Sequence, residues 1–200
     1  MKERPILLNA EMVSAVLDGR KTQARRMLTP RQLKMIDAAA SIGECYPLES
    51  GHQHENSQSY YREWCPFGAV GDRLWVRETW ARYNIDQDSH DIAYRATTPN
   101  DWPKEGRWRP SIHMPRWASR ITLEITGVRV ERLQDISRAD AIAEGGPQSH
   151  PSIDAVSQDY GFPDFSRSWF GQTWWSIYGE ESWHANPWVW VIEFKRVEGQ

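Results

Sequence analysis

The sequence predicts an α+β protein built around a small bent β-barrel with short flanking helices. Three observations lead there. Strand-like and helix-like segments follow one another irregularly, without the β-α-β rhythm that builds a doubly wound sheet. The segment expected to form the longest strand carries Gly127 at the point where its apolar register shifts, as at a bulge or barrel corner. The chain of 200 residues suits a single domain with sizeable insertions.

Each element has its own signal. Pro5-Ile6-Leu7-Leu8 reads as a short buried strand. From Ala10 to Asp18, Met12, Val13, Val16 and Leu17 form one helical stripe, and Gly19 is where that helix should stop. Residues 21–27 follow as a strand, with Thr22, Ala24 and Arg26 on one side and Lys21, Gln23 and Arg25 on the other. Thr29-Pro30-Arg31-Gln32 opens a second helix that runs to about Ala40: Thr caps, Pro fits the first turn and Gln reaches back. Residues 43–61 are polar and turn-rich and read as a loop.

The turn from Cys65 to Asp72 leads into a strand over 72–80, in which Leu74, Val76 and Trp80 share a face with Glu78. A carboxylate on an apolar face needs a partner, such as Arg26 or Arg77. Further strands are expected at 91–96 and 120–132, separated by a loop that holds Trp102, Trp108 and Trp117 among prolines and arginines. Ser137 caps a short helix ending at Gly145-Gly146, and residues 147–163 lack any period and read as an exposed loop. A helix from Ser166 to Tyr178 should turn Phe170, Trp174, Ile177 and Tyr178 inward, and the last strand spans 188–195.

Composition narrows the function. The formal net charge of −3 excludes a globally basic nucleic-acid binder, so any nucleic-acid contact must come from a local patch. Asp18-Gly19-Arg20-Lys21-Thr22-Gln23-Ala24-Arg25-Arg26 is such a patch. The unusual feature is aromatic, with 12 tryptophans and 7 tyrosines; most belong in a core, while Trp102, Trp108 and Trp117 beside Arg107, Arg109 and Arg116 could stack on bases. Two cysteines and no signal peptide make a reducing cytoplasm the expectation, and no apolar run reaches the roughly 18 residues of a membrane span. Cys45, His52, His54 and Cys65 lack the paired spacing of a zinc site, so neither metal nor cofactor is expected.

Gly19-x-Lys21, with Arg26 after it, resembles the G-x-K-x-x-T-x-R signature of the ASCH domain family, in the PUA-like superfamily. Other pieces resemble that family in the same order: Gly71-Asp72-Arg73-Leu74 entering a strand, Leu133 to Gly145 with the acid Glu144, and the closing strand Trp190-Val191-Ile192-Glu193-Phe194. Residues 72–80 and 108–117 resemble prophage-encoded ASCH proteins more narrowly.

The resemblance implies a bent barrel with a cleft for RNA or a modified, cytidine-like nucleoside. It also implies, as an alternative, an amidohydrolase that removes the acetyl group from N4-acetylcytidine, with a threonine nucleophile, an assisting lysine and an acid. By position these fall on Ala24, Lys21 and Glu144, so the chain departs from the pattern at the hydroxyl. Thr22 is about 7 Å away along an extended chain. Water activated by Glu144 or Glu78 would be the substitute. Arg26, Glu78, Trp80 and Arg116 are read as the nucleotide-binding set. A protein-interaction module of phage origin, using the aromatic surface, is the third reading.

Overall fold

The computed structural model describes residues 1–82 and 91–197. It is a mixed α/β arrangement with one five-stranded sheet at its centre. The strands of that sheet are β1 (Glu3–Leu7), β2 (Gln23–Met27), β3 (Arg73–Arg77), β6 (Thr122–Arg132) and β7 (Trp188–Arg196), in the spatial order β1-β3-β6-β7-β2. A separate two-stranded ribbon joins β4 (Trp80–Arg82) to β5 (Ile92–Tyr94). β1 and β3 run parallel, and the other neighbours are antiparallel.

The expected strands all form, but among the described residues the sheet stays open and does not close into the expected barrel. β1 and β2 are its two edges. A side chain spans the gap in place of a backbone ladder: Arg26 Nη2 donates to the Leu7 carbonyl at 2.6 Å, and its Nη1 donates to the Arg25 carbonyl at 2.8 Å. The expected strand 72–80 is also broken in two. The break falls at Glu78, which turns into the interior and accepts two hydrogen bonds from Arg120, both at 2.9 Å. Gly127 does mark a bulge: Ile125 pairs with Phe194 while Gly127 pairs with Glu193. A side chain at 127 would collide with the Glu193 carboxylate, 2.6 Å from an ideal Cβ.

β7 explains its own near-continuous apolar run. Trp190, Ile192 and Phe194 join a core shared with β1, β3 and α1 (Ala10–Leu17), while Val189 and Val191 face a second core on the other side. A strand covered on both faces has no need to alternate. The second core is supplied by α5 (Arg138–Ala143), α7 (Phe165–Tyr178) and α8 (Glu180–His184), through Ala141, Phe170, Trp174 and Trp183. α2 (Pro30–Ser41) opens with the expected reciprocal cap between Thr29 and Gln32.

Both expected loops contain helices. Residues 43–61 hold α3 (Leu48–Gly51) and the start of α4 (Glu55–Glu63), and residues 147–163 hold α6 (Pro151–Asp159). Their apolar content is too sparse to show a period, because α4 docks largely through polar atoms. Gln58 Nε2 donates to the Val130 carbonyl at 2.7 Å, and Gln58 Oε1 accepts from Val130 N–H at 3.0 Å. One amide side chain thus satisfies both backbone groups of a strand residue. Among the described residues no helix is long and apolar enough to cross a membrane.

Candidate functional site

The site is built where the turn after α1 is strapped to the end of α5. Gly19 adopts φ +74°, and the N–H groups of Arg20 and Lys21 then both donate to the Ala15 carbonyl, at 2.8 and 2.9 Å. A residue with a Cβ takes that conformation only with strain. From there Lys21 forms an antiparallel bridge with Glu144, and Thr22 N–H donates to the Ala143 carbonyl at 2.8 Å. Ser137 caps the helix whose far end presents Glu144, accepting from Asp140 N–H at 3.0 Å.

Extended backbone then sends alternate side chains to opposite sides. Lys21, Gln23 and Arg25 enter a buried network of charges. Lys21 Nζ donates to Glu144 Oε2 at 2.5 Å and to the Glu144 carbonyl at 3.0 Å. Arg25 donates to Glu144 Oε1 at 3.1 Å and to Glu131 at 2.5 Å, and stands 3.4 Å from Asp140. It also donates to Gln23 Oε1. Gln23 Nε2 reaches Asp140 at 2.9 Å. Arg129 closes the network, donating to Glu131 at 2.9 Å, to Asp140 at 3.0 Å and to Glu193.

Burial drives the electrostatics. The side chains of Lys21 and Glu144 are 1% and 5% exposed. Desolvation of the Lys21 ammonium outweighs the pull of Glu144, and the charges of Arg26 and Arg25 add to it, so the lysine pKa lies below its ordinary value. The Glu144 carboxylate is shared between two cations, which weakens its hold on either. For Asp140, burial alone would raise the pKa; the bonds from Gln23 and Ser137 and the charges of Arg129 and Arg25 outweigh it and hold the carboxyl below the usual range.

Above this network lies a cavity of about 140 Å³. Arg25 and Glu144 reach it from the sheet side, α7 gives it an aromatic wall of Trp169, Phe170, Trp174 and Tyr178, and Arg20 and Arg26 stand at its rim. The Arg25 guanidinium carbon is 5.5 Å from the centre of the Phe170 ring. Tyr178 and Ile177, expected inward, are 36% and 42% exposed because they face this cavity.

The predicted residues divide into two groups. Lys21 pairs with Glu144, and Glu144 and Arg26 line the cavity, while Lys21 itself lies buried beneath and does not line it. Ala24 does not join them: it is fully buried, pairs with Ile192 and belongs to the apolar core. A hydroxyl at position 24 would therefore face hydrocarbon, away from Lys21 and Glu144. Glu78, Trp80 and Arg116 do not line the cavity either. Glu78 is held by Arg120, Trp80 packs with Met114 and Ala118, and Arg116 pairs with Glu3 at 3.0 Å. Trp102 and Trp108 stack on each other, centroids 4.2 Å apart. His52 and His54 pack against Trp188 and Tyr46.

Sequence reasoning passed over Arg25, Gln23, Asp140 and the α7 wall. The signal for the first two was present, since a strand that points Lys21 inward points Gln23 and Arg25 the same way.

The sequence matches no protein-family model and no curated protein. Among solved structures it is similar to an ASCH domain from Lactobacillus crispatus JV V101, at 13% identity and a TM-score of 0.35, covering 98% of this chain and 79% of that one.

Proposed function

We propose that the cavity between β2, α5 and α7 binds the base of a nucleoside, free and modified as in N4-acetylcytidine or within single-stranded RNA. One observation carries the reading: a carboxylate and a guanidinium, Glu144 and Arg25, meet an aromatic wall inside one small cavity. A base needs a π-face to stack against and acceptors and donors for its polar edge. Glu144 accepts from an exocyclic amine, Arg25 behind it holds that carboxylate in place, and Arg20 at the rim donates to a ring nitrogen or carbonyl. The G-x-K turn that the sequence shares with the ASCH pattern brings Lys21 to Glu144 and fixes that carboxylate. The test is titration of cytidine, N4-acetylcytidine and a short single-stranded RNA, followed by tryptophan fluorescence. Quenching that is lost in Trp174→Ala and weakened in Glu144→Gln supports the reading. An unchanged signal with all three ligands refutes it.

A second reading, hydrolysis of N4-acetylcytidine, is favoured by the lowered pKa of Lys21 beside a carboxylate, the pattern of an acid–base pair. With Ala24 in the core, the nucleophile would be water. Glu144 would take a proton from water as the oxygen attacks the acetyl carbon and pass it to the departing N4 nitrogen, with Lys21 buried beneath it holding the carboxylate, leaving acetate and cytidine. Release of cytidine that disappears in Glu144→Gln supports this reading, and its absence in the wild-type chain removes it.

A further inference from the structure

Beside the base cavity lies a second hollow of about 310 Å³, and the two share Asn9, Met12, Arg26, Ile177 and Tyr178 along their common edge. The hollow adds Thr79 and Ser111, both half-buried, and among the described residues no carboxylate lines it. Its cation has an unusual status. Arg26 is held by two carbonyl oxygens, of Leu7 and Arg25, and by no carboxylate among the described residues, so it is fixed in place with no ion-pair partner there. A third hollow shares Asn9, Thr79 and Ile177 with the second and is lined as well by Glu11 and by Arg95, which has no side-chain partner among the described residues.

We propose that the second hollow receives the phosphate attached to the nucleoside whose base occupies the aromatic cavity. This rests on the base-binding reading above. A guanidinium held rigid, two hydroxyls and the Asn9 amide are donors that suit phosphate oxygens. The apolar shared edge, Met12, Ile177 and Tyr178, suits the sugar between base and phosphate. The phosphate comes from one of two sources, a free nucleotide or the backbone of a strand. A strand would also run on toward Arg95, whereas a mononucleotide would not.

The experiment compares cytidine, its 5′- and 3′-monophosphates and a five-nucleotide single strand by isothermal titration calorimetry against the full chain. A phosphate that meets Arg26 is expected to tighten binding on the order of tenfold over the nucleoside, the effect of one charge-assisted hydrogen bond. The gain should fall with added salt. Thr79→Val and Ser111→Ala, neither of which lines the base cavity, should each reduce the gain while leaving cytidine binding unchanged, and Arg26→Gln should remove the gain, read as the ratio of monophosphate to cytidine affinity in that same variant. A further gain for the strand, lost in Arg95→Ala, assigns the phosphate to a polynucleotide; equal affinity of strand and monophosphate assigns it to a free nucleotide. Cytidine binding with no gain from any phosphate overturns this inference and leaves the base cavity standing. No binding of any of the four overturns both.

Discussion

Ala24→Thr restores the hydroxyl that the G-x-K-x-x-T-x-R pattern carries, and the structure predicts that it restores no chemistry. Ala24 is fully buried on the core side of β2, opposite Ile192 and in the same apolar cluster as Val13, Val16 and Leu28. Two effects then add. Extra atoms in a packed core destabilise by about 1–3 kcal/mol. A hydroxyl without a partner in that environment adds about 1–3 kcal/mol more by mutational data. The sum, about 2–6 kcal/mol, is a large share of the roughly 5–15 kcal/mol that holds an ordinary domain folded. Ala24→Val separates the two effects, because valine has nearly the shape of threonine without the oxygen. Urea unfolding of both variants and the wild type should place Ala24→Val between the other two, with a gap of about 1–3 kcal/mol to Ala24→Thr. Neither should gain hydrolysis of N4-acetylcytidine. If Ala24→Thr is as stable as Ala24→Val, or releases cytidine faster than the wild type, then residue 24 reaches the cavity and the assignment of faces along β2 is wrong.

Three further outcomes follow from the same geometry. Lys21 has a lowered pKa through burial, so between that value and about 10.4 the folded protein binds fewer protons than the unfolded chain. Stability therefore rises with pH across that alkaline window, and Lys21→Met should flatten the rise in urea midpoints measured from neutral pH upward; a rise that persists would place its origin elsewhere. Asp72 behaves in the opposite range: backbone N–H bonds from Lys2 at 2.7 Å and Ala69 at 3.2 Å hold its carboxyl below the usual value. Its contribution is present above about pH 3.9 and lost as pH falls through the folded value, so Asp72→Asn should shrink the acid-induced drop in melting temperature. Gln58→Leu should destabilise by at least about 2 kcal/mol, since it strips partners from both backbone groups of buried Val130, at about 1–3 kcal/mol each; a change under 0.5 kcal/mol, within the ordinary scatter of surface substitutions, would deny the α4 docking its polar origin.

What the sequence made legible depended on how local the signal was. Gly19, the Thr29–Gln32 cap, Ser137 and Gly127 each act within a few residues, and each element they announce is present. Closure of a barrel is decided by partners far apart in the chain, and nothing local in Pro5–Leu8 or 21–27 says whether those two edges meet. The helices inside 43–61 and 147–163 escaped because their docking runs through Gln58, Ser57 and Ser157, residues that pattern reading counts as polar surface. At the site, Lys21 and Glu144 were recoverable from a motif, and Arg25 from strand alternation. Glu78 looked functional because a lone carboxylate on an apolar face demands a cation, but the cation was Arg120, 42 residues away. The aromatic wall could not be assigned from α7 alone, since a helix gives core-facing and cavity-facing tryptophans the same periodicity.

The Arg26 clasp ties the sheet's architecture to whatever enters beside it. The guanidinium that joins the Leu7 carbonyl to β2 also stands on the edge shared by both hollows. An anion that drew it outward would do so at the expense of the seam between β1 and β2. An anion that approached its free N–H groups in place would instead brace that seam. Occupancy and seam opening are thus linked in both directions, by one and the same coupling free energy. An open sheet whose edges are joined by a side chain can register a ligand in a way that a closed ladder of backbone bonds cannot.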